Sequence, residues 1–151
     1  MIVPMPGPSQ NLDAAVDAVG AQIARTDGKA SLLLAFNGAV LAGLASAADT
    51  GLPPATKAFG GAAALALGIA AVLLLLVVRP CLSGADHASF PYWARLDEAA
   101  IRACMGGDPR PAQVRVMSII AMAKFARLRW AVDCSLTALA LLALAAAGAA
   151  W

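Results

Sequence analysis

The sequence predicts an all-α integral membrane protein with three transmembrane helices. Of its 151 residues, 61% are hydrophobic and only 13% are charged, whereas soluble domains are about 45–50% apolar and about 25% charged. The mean hydropathy is +0.76. Aromatic residues supply only 5%, which argues against a membrane β-barrel with its aromatic girdles. Three stretches carry almost no charge, and each is close to the roughly 20 residues that a helix needs to cross a bilayer.

The chain is expected to begin with an irregular segment followed by an amphipathic helix. Residues 1–8 contain three prolines and should be irregular. From residue 9 towards Arg25, apolar residues recur at the spacing of one helix face, namely Leu12, Val16, Val19 and Ile23. We expect this N-terminal amphipathic helix to pack on its own protein. The alternative is a helix on the membrane surface, although such helices usually carry Lys or Arg on the polar face.

The first two predicted spans form a hairpin. Residues 30–48 contain no charge, and residues 58–78 form the second and most apolar span. The segment 49–57 between them contains a glycine and two consecutive prolines, which end a helix and turn the chain. Arg79-Pro80 ends the second span. Two spans joined by so short a loop must run antiparallel.

The region 79–129 differs in composition from the spans. It holds eight basic residues against four acidic ones. The basic residues are Arg79, Arg95, Arg102, Arg110, Arg115, Lys124, Arg127 and Arg129. Within this region, residues 91–104 fit one short helix, because apolar residues recur on one side of it.

A long C-terminal helix follows. Asp108 is placed to cap a helix that Pro111 enters in its first turn. From residue 112 the chain contains neither proline nor glycine until Gly148. We therefore predict one helix of about 60 Å, which extends from the cytoplasm and crosses the membrane in its second half, at about 131–151.

The distribution of charge predicts the topology. Arg25 and Lys29 precede the first span, whereas the only basic residue of the hairpin is Lys57. Because cytoplasmic loops are rich in Lys and Arg, the N-terminus and the region 79–129 should be cytoplasmic and the C-terminus outside. Residues 9–151 then form a single membrane domain. The net charge of only +2 argues against binding to nucleic acid.

The sequence contains no motif typical of an enzyme. It has no phosphate-binding glycine loop, no paired cysteine motif, and no recognisable motif that pairs a nucleophile with its one histidine. The three cysteines are far apart in the chain. We therefore expect no catalytic residues, no metal site and no bound cofactor.

Two polar residues in the spans have predicted partners. Asn37 lies within the first span, where an unpaired amide is costly, so we expect it to bond to another helix. Lining of a pore or an oligomer contact is the alternative. Asp133 lies four residues after Arg129, which allows a local ion pair.

Basic residues at the cytoplasmic ends of the spans form the candidate ligand site. Arg25 and Lys29 are four residues apart and share a helix face, with Asp27 to the side. They should lie at the same depth in the membrane as Arg79 and the basic cluster of Lys124, Arg127 and Arg129. Arginine side chains form paired hydrogen bonds to phosphate groups, so these residues together could bind a phosphate. The alternative is that these residues only anchor the topology. The full candidate set is Arg25, Asp27, Lys29, Arg79, Lys124 and Arg127, and within it the sequence favours Arg25, Lys29 and Lys124.

Several short motifs occur in a characteristic order. They are Arg25-x-Asp27-x-Lys29-Ala30-Ser31-Leu32-Leu33, Asn37-Gly38, Arg79-Pro80 and Ala123-Lys124-Phe125-x-x-Leu128-Arg129. In this order, and with this placement relative to the spans, they resemble the transmembrane effectors of the Pycsar antiphage systems. The resemblance covers about residues 20–150. It departs from the family pattern at Gly28, where threonine or alanine is expected.

The resemblance implies a bacterial defence effector. In such systems an infection-triggered cyclase makes cyclic UMP or cyclic CMP, and the effector responds by impairing the inner membrane, which leads to abortive infection. The implied partners are the lipid bilayer, the cyclic nucleotide as activating ligand, and further copies of the chain in a homo-oligomer. Two other functions stay open: a constitutive holin-like or toxin-like pore former, and an accessory subunit of a larger membrane complex.

Overall fold

The computed structural model describes residues 7–48, 51, 53–80, 89–104 and 106–149. These residues form helices and contain no strand. The helices are α1 (Pro8–Ala47), α2 (Pro54–Val78), α3 (Phe90–Trp93), α4 (Glu98–Cys104) and α5 (Arg110–Ala149). Within the described ranges, α1, α2 and α5 are long and apolar enough to cross a membrane. The predicted fold class is therefore confirmed.

The chain divides into two compact units, which we describe separately. Unit 1 comprises Met1–Arg25 and Pro80–Lys124, and unit 2 comprises Thr26–Arg79 and Phe125–Trp151. Helices α1 and α5 contribute to both units, whereas α2 belongs to unit 2 alone.

The first helix is longer than predicted. Helix α1 has 40 residues and runs without a break through the position where the sequence placed the start of the first span. A separate N-terminal amphipathic helix is therefore not confirmed. No proline interrupts the chain between Pro8 and Pro53. Gly28 costs only about 1 kcal/mol relative to alanine in a helix, which is too little to end one. Of the residues 1–8 that were predicted to be irregular, 1–6 lie outside the described residues and Gly7 is irregular, whereas Pro8 begins α1.

The hairpin and the second span agree closely with expectation. Helix α1 ends at Ala47, and α2 ends at Val78, where the Arg79 amide donates to the Leu75 carbonyl over 2.9 Å. Helix α2 begins at Pro54, four residues before the predicted span. Proline is favoured in the first turn of a helix because its φ is already helical and its missing N–H has no partner there.

The predicted short helix over 91–104 is two helices, so this prediction was wrong. Helix α3 ends at Trp93, and α4 begins at Glu98. The Asp97 Oδ1 atom accepts a hydrogen bond from the Ala100 amide over 2.8 Å. A carboxylate that caps an amide three residues later starts a new helix. The break at Asp97 is the physical reason for the division.

The predicted cap of the last long helix is confirmed. The Arg110 amide donates to Asp108 Oδ1 over 3.1 Å, and α5 begins at Arg110. The helix continues unbroken for 40 residues to Ala149. The expected ion pair between Asp133 and Arg129 is not formed among the described residues. An order with the base N-terminal to the acid is the less favourable one at this spacing.

The side chain of Arg110 connects the two long helices within unit 1. It binds both carboxylate oxygens of Asp108, at 2.8 and 3.0 Å. Its remaining guanidinium nitrogen donates to Asp13 Oδ1 over 2.9 Å and to the Ser9 carbonyl over 3.1 Å. The N-terminal parts of α1 and α5 are therefore joined by charge-assisted hydrogen bonds, which are stronger than neutral ones.

Removal of the Asp108 carboxylate should lower the thermal stability of the protein in a pH-dependent way. Side-chain and backbone hydrogen bonds from Arg110 hold the pKa of Asp108 below its ordinary value of 3.8. A lowered pKa in the folded state stabilises the fold above pH 3.8, and this stabilisation is lost as the pH falls through the folded-state pKa. Asp108→Ala is expected to melt at a lower temperature than wild type at neutral pH, with the difference shrinking in acid. Thermal scans by circular dichroism at neutral and at acidic pH measure the difference in melting temperature and its change with pH.

A control for this prediction is Glu98→Ala. It removes an acid from an exposed pair with Arg102, whose atoms are 3.7 Å apart, and exposed pairs contribute little. Glu98→Ala should melt like wild type. A difference between Asp108→Ala and wild type that persists unchanged in acid would contradict the assignment.

Two hydrophobic clusters hold α1, α2 and α5 together in unit 2. The first cluster consists of buried Ala30, Leu74, Val77 and Ala131, with Leu33, Leu34, Leu73 and Leu128 packed against it. The second consists of Ala63, Leu67 and Ala138, with Val40, Leu41, Ala66, Leu141 and Leu142 around it. Most of the buried side chains are alanines, which let helix backbones approach closely.

Asn37 and Ser135 form a polar contact inside unit 2. The Asn37 Nδ2 donates to Ser135 Oγ over 3.0 Å, and Asn37 is fully buried. The Ser135 hydroxyl has two acceptors within reach, the Ala131 carbonyl at 2.9 Å and Asn37 Oδ1 at 3.2 Å. The prediction that Asn37 bonds to another helix is confirmed, and the other helix is α5.

A double-mutant cycle should detect this contact. Asn37→Ala, Ser135→Ala and the double variant are expected to give a coupling free energy of about 0.6 kcal/mol, and at most about 1.7 kcal/mol, as for other hydrogen bonds between membrane helices. The coupling free energy is obtained from the free energies of unfolding of the four proteins in mixed micelles. Ser46→Ala serves as the control, because among the described residues the Ser46 hydroxyl bonds only to the Ala42 carbonyl of its own helix. Coupling as large between Asn37 and Ser46 would contradict the contact.

Candidate functional site

The first hydrophobic cluster brings the C-terminal end of α2 together with the middle of α1 and the middle of α5. It contains Ala30 from α1, Val77 from α2 and Ala131 from α5. All three residues are fully buried. Each long helix is therefore fixed to the other two at this level of unit 2.

Basic residues lie next to the residues of this cluster in the sequence, so the packing fixes their position. Lys29 immediately precedes buried Ala30, Arg79 comes two residues after buried Val77, and Arg127 precedes Leu128 of the same cluster. These residues therefore lie at one end of unit 2. We call this end, defined by Asp27, Lys29, Arg79, Arg127 and Arg129, the basic end. It carries four basic residues against one acidic residue.

The cations of the basic end are available to a ligand. Lys29, Arg79, Arg127 and Arg129 are exposed. In the part of the chain that the structure describes, none of them forms an ion pair. Asp27 is half-buried, and its carbonyl accepts a hydrogen bond from the Ser31 hydroxyl over 3.0 Å. Exposed and uncompensated cations attract anions, and arginine and lysine form strong hydrogen bonds to phosphate.

The structure places the other two predicted residues in unit 1. Arg25 is exposed, and it immediately precedes the first residue of unit 2. Lys124 is buried, with 6% of its surface exposed, and it is engaged with other groups. A buried ammonium group requires a partner, since desolvation of an unpaired charge is costly. Four of the six predicted residues are thus brought together in unit 2, and the sequence alone did not distinguish Lys124 from them.

Arg110 is a further residue whose role the sequence analysis missed. It counted only as one of eight basic residues, although it bonds to Asp108 and Asp13. The signal was present, because Asp108 and Arg110 flank a proline where a helix starts. The second partner of Arg110, Asp13 on α1, lies 97 residues earlier. No local sequence pattern predicts a contact over that separation.

The chemistry available at the basic end is binding of an anion. Within the described ranges, no group of three or more His, Cys, Asp or Glu residues could hold a metal ion. Cys104 and Cys134 are free thiols and belong to different units, while Cys81 and His87 lie outside the described residues.

The fold and this site define a small helical membrane protein with a cationic end on its three-helix unit. The family model described as the Pycsar effector protein domain matches residues 11–151. The chain therefore belongs to the Pycsar effector family, as its motifs predict. Membership supports a role in antiviral defence as an antiphage effector. No curated protein and no solved structure matches the chain significantly.

Proposed function

We propose that the protein senses a cyclic pyrimidine mononucleotide, cyclic UMP or cyclic CMP, and responds by impairing the bacterial inner membrane. The basic end of unit 2 is the proposed sensing surface. One observation carries the proposal: Lys29, Arg79 and Arg127 come from three different helices and reach one end of the unit without ion-pair partners among the described residues. The protein acts by binding, without catalysis and without a cofactor.

The ligand complements this surface in charge. A cyclic mononucleotide carries a single negative charge on its phosphodiester, and its exocyclic oxygens accept hydrogen bonds from Lys and Arg. Asp27 lies beside these cations, but it is half-buried and already engaged within the protein. The six residues of the sequence prediction stay the candidates for contact, with Lys29, Arg79 and Arg127 as the first choice.

Binding at this place can be coupled to the membrane. A ligand shifts a conformational equilibrium only if it binds one state more tightly than the other. Because the cations lie on α1, on α5 and directly after the end of α2, a shared anion favours the arrangement in which these three positions are close. Their contacts rest largely on alanines, such as Ala63 and Ala138, so little packing must be lost when helices shift. The helices then rearrange, or assemble with further copies, and breach the bilayer.

The proposed orientation follows from charge. The N-terminus and the basic end face the cytoplasm, where positive residues are retained and where a cyclase would release its product. The C-terminus lies outside. Large side chains on the spans, such as Leu65, Ile69 and Leu75, are exposed, which suits helices that face lipid.

The test uses cells that express the protein together with a cyclase. Production of cyclic UMP or cyclic CMP should abolish the membrane potential and dye exclusion, whereas a cyclase that makes cyclic AMP should leave both intact. Unchanged membranes in all three strains would contradict the proposal. Permeabilisation without any cyclase would identify a constitutive pore former, and a harmless protein that co-purifies with a different membrane protein would identify an accessory subunit.

A further inference from the structure

A cavity of about 630 Å³ lies at the other end of unit 2, where α1 ends and α2 begins. This volume falls in the range of about 300–1,000 Å³ typical of ligand sites. Leucine, alanine and glycine residues of α1, α2 and α5 form most of its lining, including Leu44, Gly61 and Ala145. We call it the hairpin-end cavity. Its polar lining residues are Thr56 and Lys57.

The polar groups of the cavity favour an anion. Lys57 is exposed and forms no ion pair within the described ranges. Thr56 is only 6% exposed, and its hydroxyl has no hydrogen-bond partner among the residues that the structure describes. Both residues lie in the first turn of α2, whose N-cap residue Pro53 provides no side-chain cap. The free amides and the dipole of a helix N-terminus also attract negative charge.

The depth of the cavity decides which anion fits. Helices α1 and α2 are candidate membrane spans, so the hairpin that joins them lies at a bilayer surface, at the level of lipid phosphates. Ala64 of the lining lies ten residues beyond Pro54, which corresponds to about 15 Å along the helix. The lining therefore extends from the phosphate level into the hydrocarbon. A free phosphate would satisfy only the polar part and leave the apolar part empty.

We propose that the hairpin-end cavity binds one anionic phospholipid of the surrounding bilayer, with an acyl chain along the apolar lining and the phosphate at Lys57. A helix of a second copy is less suitable, because a neutral alanine-rich helix offers no partner for Lys57 or for the Thr56 hydroxyl. The proposal does not rest on nucleotide sensing, because none of its residues belongs to the basic end.

Native mass spectrometry of the purified full chain tests this proposal, with phosphatidylglycerol and phosphatidylcholine added at equal concentration. The wild type should retain one phosphatidylglycerol in preference to phosphatidylcholine. Lys57→Gln should lower the affinity for phosphatidylglycerol, measured from the occupancy as the lipid is titrated, by about fivefold, the effect of one basic residue on binding of anionic lipid. Gly61→Leu fills the cavity and should lower the occupancy of both lipids. A Cβ atom at Gly61 meets nothing within 4 Å, so the added side chain starts in open space.

Two control variants separate the cavity from general effects. Gly68→Leu adds the same side chain to the same helix, also with nothing within 4 Å of the new Cβ, but outside the cavity lining. Arg95→Gln removes the same charge from unit 1. Both should bind lipid like wild type, with unchanged circular dichroism. Wild-type phosphatidylglycerol occupancy in Gly61→Leu would overturn the proposal. A loss of oligomers in Gly61→Leu at unchanged lipid occupancy would also overturn it, and would identify a second copy as the occupant.

Discussion

Simultaneous replacement of Lys29, Arg79 and Arg127 by glutamine is expected to weaken binding of the cyclic pyrimidine nucleotide by more than about a hundredfold. A hydrogen bond to a charged group contributes about 1.5–3 kcal/mol, and about 1.4 kcal/mol corresponds to a tenfold change in affinity. Neighbouring contributions are not fully additive, so we expect less than the full product. Calorimetric titration of the purified protein with cyclic UMP and with cyclic CMP measures the effect.

The matched control replaces three other exposed arginines, Arg95, Arg102 and Arg115, by glutamine. It removes the same charge from unit 1 and leaves the basic end intact. We expect its affinity to stay close to that of wild type. Equal losses in both triple variants would show that only the overall charge matters. An unchanged affinity in the Lys29, Arg79 and Arg127 variant would rule out the basic end as the binding site.

Arg25 and Lys124 stay predictions from the sequence, and the same titration tests each of them. Arg25→Gln should lower the affinity by about tenfold if this exposed guanidinium contacts the ligand. Lys124 is buried and already engaged, so its replacement must be judged together with the folded fraction of the variant. Loss of affinity in a Lys124→Gln protein that is fully folded would add Lys124 to the site.

Leu74→Ala is expected to destabilise the protein by about 2–5 kcal/mol, as is usual when a fully buried leucine is truncated. Leu74 is 0% exposed and belongs to the cluster with Ala30, Val77 and Ala131. Its removal leaves a void where all three long helices meet. Unfolding in mixed micelles of detergent and denaturing surfactant measures the free energy.

The adjacent leucine provides the control for this variant. Leu75 is 57% exposed, so Leu75→Ala should change the free energy of unfolding far less. Because the same cluster positions Lys29 and Arg79, Leu74→Ala should also weaken nucleotide binding, whereas Leu75→Ala should not. Equal destabilisation by the two variants would contradict the described packing of α2.

The helices could be predicted because their signals are local. Uncharged stretches of span length, the prolines of the hairpin and the cap at Asp108 are all readable within a few residues. Where a local signal was overestimated, the prediction differed from the structure. The change from an amphipathic to an uncharged pattern near Arg25 suggested two helices, but α1 continues through this region, since a single glycine such as Gly28 costs only about 1 kcal/mol. Asp97 was read as part of one helix, although its carboxylate starts a new one.

The contacts between helices could not be predicted, for a physical reason. Alanine and glycine occur on every face of the spans, so no stripe of small residues indicates which faces meet. The partner of Asn37 lies 98 residues away. The candidate site was predictable in part. Charge and order in the chain predicted that Lys29, Arg79 and Arg127 lie at one end. The burial of Lys124 follows only from packing.

Dye release from liposomes tests most directly whether the protein is a nucleotide-gated membrane effector. Purified protein in sealed vesicles that contain a self-quenched dye is exposed to cyclic UMP, cyclic CMP or cyclic AMP on the side of the basic end. We predict rapid release with a cyclic pyrimidine nucleotide, and none with cyclic AMP, without nucleotide, or with the Lys29, Arg79 and Arg127 variant. Release that is equally fast without nucleotide, or vesicles that stay sealed while the bound pyrimidine nucleotide is detected, would contradict the account.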